Sequence, residues 1–114
     1  MNEKVLKSLY DIKLSIDEVD SYFSDKQRSY QEYKRNIMFR RAIERNLEII
    51  GEAMNRILKE DPSFSIENAR RIVGLRNQII HGYDSVSDES IWGIVIKHLP
   101  KLKAEILLLI EANG

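Results

Sequence analysis

Hydrophobic residues in this chain recur mostly every three or four positions, the spacing of one face of a helix, and the β-branched residues do not alternate with polar ones as in a strand. Val5, Leu9, Ile12, Ile16, Val19 and Phe23 make one such stripe, which predicts a long first helix. The polar stretch from Ser21 to Ser29 interrupts it. Phe39, Ile43, Leu47, Ile50, Met54 and Ile57 then trace a longer second helix, and Met38, Ala42, Ile49 and Ala53 trace another stripe offset from the first. A helix with two apolar stripes meets more than one neighbour, and a second copy of the chain is a candidate for one of them. Asp61-Pro62 closes this helix, because a residue before proline is steered out of the helical region.

A third helix is predicted from Ser65 or Glu67 through the run RNQIIHGY, with Gly82 as its C-terminal stop. Asp84 to Ser87 reads as a loop, with Ser87 or Asp88 capping the next helix. Ile91, Val95, Leu99, Leu102, Ile106 and Leu109 form the last stripe, which Pro100 is expected to kink or split. There is no internal repeat, low-complexity segment or linker. The expectation is an all-α protein, a four- to five-helix up-and-down bundle occupying residues 1–114 as one domain.

Charge narrows the function classes. Eighteen Lys and Arg balance eighteen Asp and Glu, so the net charge is zero, which argues against general coating of nucleic acid but leaves room for a local basic patch. The absence of cysteine removes disulfides and thiolate metal sites. The N-terminal segment is too charged for a signal peptide, and the run ILLLI is too short to cross a bilayer. A cytoplasmic protein without a membrane partner is expected.

Candidate chemistry gathers between Glu67 and Tyr83. On an ideal helix Ile72, Val73, Leu75, Ile79 and Ile80 share a broad apolar side, and Arg76 falls near its middle. A half-buried guanidinium is unfavourable unless paired, so Arg76 marks either a site or an ion pair across a helix interface. His81 lies about 140° around the same ideal helix, so one straight helix does not aim both side chains at one point. An opened last turn at Gly82, or two copies related by a two-fold axis, would bring them together. A histidine titrating near neutrality suits proton transfer; taken alone, a histidine on a polar side is more often a surface histidine. Asn77 stands four residues before His81 on the same helical face, placed to orient the ring or bind RNA, or else to serve a helix-terminus hydrogen bond. Arg41 and Arg45 belong to a locally basic stretch with Lys34, Arg35 and Arg40, interleaved with Glu44, Glu48 and Glu52. That pattern fits either an RNA-guiding patch or a solvated, ion-paired face.

Several of these residues together resemble a known family. The run Arg76-Asn77-Gln78-Ile79-Ile80-His81 resembles the R-x4-H motif of HEPN domains, and Tyr83 extends it to the R-x4-H-x-Y form of HepT-like toxins in HEPN–MNT toxin–antitoxin pairs. The segment RAIERNLEIIGEAMNRI, Arg41 to Ile57, is similar to the long second helix of that group, and Ile91-Trp92 and Leu99-Pro100-Lys101-Leu102 fit its spacing. The resemblance covers nearly the whole chain. It implies a homodimeric endoribonuclease that uses no metal or other cofactor, with a composite cleft between subunits. In it Arg76 would hold the scissile phosphate, His81 would move a proton, and Asn77, Arg41 and Arg45 would support RNA binding. It also implies a minimal nucleotidyltransferase antitoxin that modifies Tyr83 with AMP, an anionic adduct that would compete with RNA beside Arg76. Two other readings share the fold: a non-catalytic helical subunit that regulates such a nucleotidyltransferase, and a helical dimerisation module in which Arg76 is a structural ion pair.

Overall fold

Helix starts in this chain are set by short polar side chains. Asn2, Ser29, Asn36 and Ser87 each stand in extended backbone and accept a hydrogen bond from an N–H of the following first turn. Such caps satisfy donors that the helix itself leaves unpaired. The computed structural model describes residues 2–23, 29–66, 69–80 and 87–113. Among them every regular element is helical. Helix α1 spans Glu3–Ser21, α2 Tyr30–Arg35, α3 Ile37–Glu60, α4 Ala69–Ile80, α5 Asp88–Gly93 and α6 Leu99–Asn113, and a π-helical segment, Ile94–His98, joins α5 to α6.

The predicted stripes form the core. Val5, Leu9, Ile12, Ile16 and Val19 of α1 are 2% exposed or less, as are Ile43, Leu47, Ile50, Met54 and Ile57 of α3. Burying side chains of this size contributes roughly 1.5–3 kcal/mol each, which makes the α1–α3 seam the main source of stability. The two helices run antiparallel. Asn2 and Lys4 meet Glu60, Ser8 and Asp11 meet Arg56, and Glu18 and Tyr22 meet Asn46. Asn46 is buried but satisfied, since it donates to Glu18 at 2.8 Å and accepts from the Tyr22 hydroxyl at 2.7 Å. Helix α6 packs on α1 through Leu102 and Ile106, and Lys103 reaches Asp17 and Asp20. The molecule is 19 Å thick, about two helix diameters, so the helices lie in two layers. No described helix is long and apolar enough to cross a membrane.

Three details refine the sequence reading. Ser65 lies outside any helix, so the first described turn of α4 begins at Ala69; Glu67 and Gly82, the proposed start and stop, lie outside the described residues. The polar break is followed by an additional short helix, α2, capped by Ser29 with Glu32 three residues on. It delivers Tyr33 into an aromatic cluster with Tyr30, Phe39 and Trp92. Finally, of the kink or split expected at Pro100 the structure has a split, made by a π turn in which Leu99 N–H is bonded to the carbonyl of Ile94. Proline removes a donor and crowds the carbonyl one turn back, and a wider turn relieves that crowding. The offset stripe of α3 runs from buried Ala53 through half-buried Ile49 and Ala42 to Met38, which is 80% exposed.

Tyr33 is fully buried, and its hydroxyl has no partner among the described residues. Burial, reinforced by the carboxylates of Asp88 and Glu44, lifts its phenol well above the ordinary value of 10.0. Because the folded state favours the neutral ring, this contribution to stability is intact below pH 10.0 and is lost as the unfolded chain ionises above it. Tyr33→Phe is therefore expected to match or exceed wild type in melting temperature at neutral pH, and to lose less stability than wild type on passing above that pH. Thermal melts on either side of it check both points; a variant several degrees less stable at neutral pH would show that the hydroxyl is satisfied after all.

Candidate active site

Arg76 is placed by the way α4 sits on α3. Gly51 is buried in the middle of α3, and a methyl group built on it would lie 2.2 Å from the Arg76 Cβ, 2.7 Å from its Cγ and 3.3 Å from the carbonyl oxygen of Ile72. Ile72 and Arg76 are one turn apart and face α3 together. Glycine in a helix interior costs about 1 kcal/mol relative to alanine, and here its use is a close approach that no side chain permits. The stem of Arg76 occupies the slot that Gly51 leaves.

The head of Arg76 is held more loosely. Its Nη2 stands 3.8 Å from Glu52 Oε1, and its Nη1 donates to Asn77 Oδ1 at 2.9 Å. The Nε is buried and has no partner among the described residues, while the side chain as a whole is 27% exposed. The ion pair across the α3–α4 interface is thus present, at a distance that balances charge without filling the guanidinium's donors. Of the five N–H groups on a guanidinium, the Nε one is shielded and one on Nη1 is taken by Asn77, so an anion arriving from solvent would meet the remaining Nη N–H groups. An ion pair this exposed contributes less than about 1 kcal/mol to stability, so its orientation of Arg76 matters more than its strength.

Asn77 is exposed and turned towards Arg76 by that hydrogen bond. His81 and Tyr83 lie outside the described residues. Arg41 and Arg45 are 71% and 62% exposed and pair with Glu44 and Glu48 on their own helix, at 2.9 and 3.1 Å. Their charges are locally balanced, as in the solvated-face reading. Glu52 and Gly51 carry no role in the sequence reading, although an interior helical glycine beside a carboxylate was the available signal. The chain's other histidine, His98, lines a cleft of about 580 Å³ between α4 and the α5–π segment, together with Gln78 and Lys97. Among the described residues no three His, Asp or Glu side chains come together as metal ligands.

Comparison with known proteins agrees on one family. The family model described as Ribonuclease HepT-like matches residues 12–109. The chain is 38% identical to "Putative RNase MJ1380" of Methanocaldococcus jannaschii over 109 residues, covering 93% of this chain and 97% of that protein. It is 33% identical to "Putative RNase TTE0752" of Caldanaerobacter subterraneus subsp. tengcongensis over 79 residues, 68% of this chain and 70% of that protein. Another archaeal relative, "Putative RNase MJ0125" of M. jannaschii, is 29% identical over 104 residues, 90% of this chain and 88% of the relative. No solved structure matches the chain at comparable significance.

The seating of α4 on Gly51 is open to direct test. Gly51→Ala is expected to lower stability by roughly 1–3 kcal/mol, because the added methyl group must displace the Arg76 stem or the α4 backbone. Gly74→Ala is the control, since nothing lies within 4 Å of a Cβ built there. Only helix propensity changes at Gly74, and that variant should gain up to about 1 kcal/mol. Denaturant unfolding of the two variants checks this, and a Gly51→Ala protein as stable as wild type would refute the close approach.

Proposed function

This chain belongs to the HepT-like ribonuclease family, and on that premise we propose that it is an endoribonuclease working without a metal ion, the toxin of a toxin–antitoxin pair. The observation that carries this reading is the state of Arg76, whose stem is fixed in the Gly51 slot while its partly exposed head has Nη donors beyond the one that Asn77 accepts. In the proposed reaction the ribose 2′-oxygen attacks the neighbouring phosphorus and the 5′-oxygen leaves. Arg76 binds two non-bridging oxygens and offsets the charge that grows on them, a large term in phosphoryl chemistry. His81 moves the proton, from the 2′-hydroxyl or to the leaving oxygen. Glu52 orients the guanidinium from α3, and Asn77 from α4, so that little reorganisation is needed when RNA arrives.

The active unit is a homodimer, in which the Arg76 and His81 of both copies line one cleft. Neutralisation comes from a minimal nucleotidyltransferase that attaches AMP to Tyr83, seven residues from Arg76, where the adduct's phosphate competes with RNA for the guanidinium. The alternative is a non-catalytic helical subunit that presents Tyr83 to the same nucleotidyltransferase. A structural role for Arg76 finds support in its ion pair with Glu52, and stability measurements on the Arg76 variant separate that role from catalysis.

The test is cleavage of total RNA in EDTA by purified protein whose intact mass shows no adduct. Wild type is expected to cleave. Arg76→Ala and His81→Ala are each expected to lose about 100-fold or more in rate while melting within a few degrees of wild type. Cleavage retained by either variant overturns the assignment of that residue. Unfolding of Arg76→Ala assigns it to structure, and absence of cleavage by unmodified wild type favours the non-catalytic subunit.

A further inference from the structure

On a neutral chain with a heavily ion-paired surface, the cations that lack a partner stand out. Along α3, Arg40, Arg41, Arg45 and Arg56 each reach a carboxylate. Lys59, near the end of α3, and Arg70, in the first turn of α4, have no such partner among the described residues. Both line one groove of about 360 Å³ between the C-terminal half of α3 and the N-terminal half of α4. Asn55 and Asn77 add carboxamides to its walls, and Gly74 leaves open space where a side chain would stand. Arg70, Gly74 and Asn77 follow the spacing of one helical face, as do Glu52, Asn55 and Lys59 on α3. At its Asn77 end the groove meets the Arg76 guanidinium, because Asn77 Oδ1 accepts from Arg76 Nη1.

We propose that this α3–α4 groove is a binding subsite for the RNA backbone, in which Lys59 and Arg70 take a phosphate beside the one held by Arg76. The proposal rests on the ribonuclease reading and extends it to residues that the R-x4-H motif does not contain. An ammonium and a guanidinium that make no ion pair among the described residues attract an anion without first breaking one, which Arg41 and Arg45 would have to do. Carboxamides in the same groove suit phosphate and ribose oxygens, contacts that position a strand without reading its sequence. The groove therefore fixes the register of the strand, and base preference comes from elsewhere.

The experiment uses unmodified full-length protein and a fluorescein-labelled single-stranded RNA of mixed sequence, followed by fluorescence anisotropy over a range of salt. Lys59→Gln/Arg70→Gln is expected to raise Kd about tenfold and to reduce the slope of log affinity against log salt by about 1.4, the loss of two phosphate contacts on a single strand. Lys101→Gln, an exposed cation on α6, is the control for a general charge effect. In cleavage of total RNA the double variant should raise KM and keep kcat, since neither residue touches the reacting atoms. Unchanged affinity and salt slope in the double variant, while wild type binds, overturns the subsite and leaves the ribonuclease reading standing. An equal loss in Lys101→Gln also overturns it, as a bulk charge effect. If wild type neither binds nor cleaves RNA, the ribonuclease reading fails and the subsite with it. Loss of binding to an acidic peptide instead of RNA would assign the groove to a protein partner.

Discussion

At Gly51 the α3 and α4 helices come closer than any side chain on α3 would allow, and the geometry of the candidate site derives from that contact. The Arg76 stem lies over the missing Cβ, with the Ile72 carbonyl beside it. Once the stem is fixed there, the head is oriented by its two neighbours, though held less tightly than the stem. It lies between Glu52, the next residue on α3, and Asn77, the next residue on α4. Two neighbours on α3 thus do different things: one gives up its side chain to admit the arginine, and the other supplies the carboxylate that orients it. A larger residue at position 51 would have to displace the Arg76 stem or the α4 backbone.

The rest of the bundle makes that contact rigid. Helix α3 carries one face into the α1 seam, where its stripe is almost wholly buried, and turns another towards α4. The buried Asn46 network and the Arg56 contacts fix its register against α1 at both ends. At the α2 end, Tyr33 stacks on Trp92 with 5.2 Å between ring centroids and ties α2 to α5. Stability and site are therefore properties of one helix, with the hydrophobic seam setting where the α4-facing residues stand. Polar residues on that second face act through position, because exposed ion pairs contribute too little to hold the fold.

Much of this was legible in the sequence. The helices follow from apolar spacing, and Ser87 was recognisable as a cap because short polar side chains bond a first turn in a fixed way. Arg76 announced itself as a charge on an apolar face. Less visible were features that depend on the residues opposite. Gly51 reads as a weak helical residue until Arg76 is placed against it, and Glu52 reads as one more carboxylate on a charged face. The two alternatives for Arg41 and Arg45 have the same sequence pattern, and only the geometry of Glu44 and Glu48 distinguishes a paired surface from a free one. Helix α2 is too short for apolar periodicity to announce, although Ser29 and Glu32 carry a capping signature. At Pro100 the sequence marks the disturbance but not its form, since a kink and a π turn relieve the same crowding.

The central claim is that α3 positions Arg76 for its work through Glu52. A double-mutant cycle on RNA cleavage tests it most directly, combining Glu52→Gln with Arg76→Ala in wild-type and single-variant backgrounds. Positioning predicts that Glu52→Gln slows cleavage when Arg76 is present and adds nothing when it has been removed. Independent, additive losses in the two backgrounds would contradict it, and would mean that Glu52 and Arg76 contribute to the protein separately.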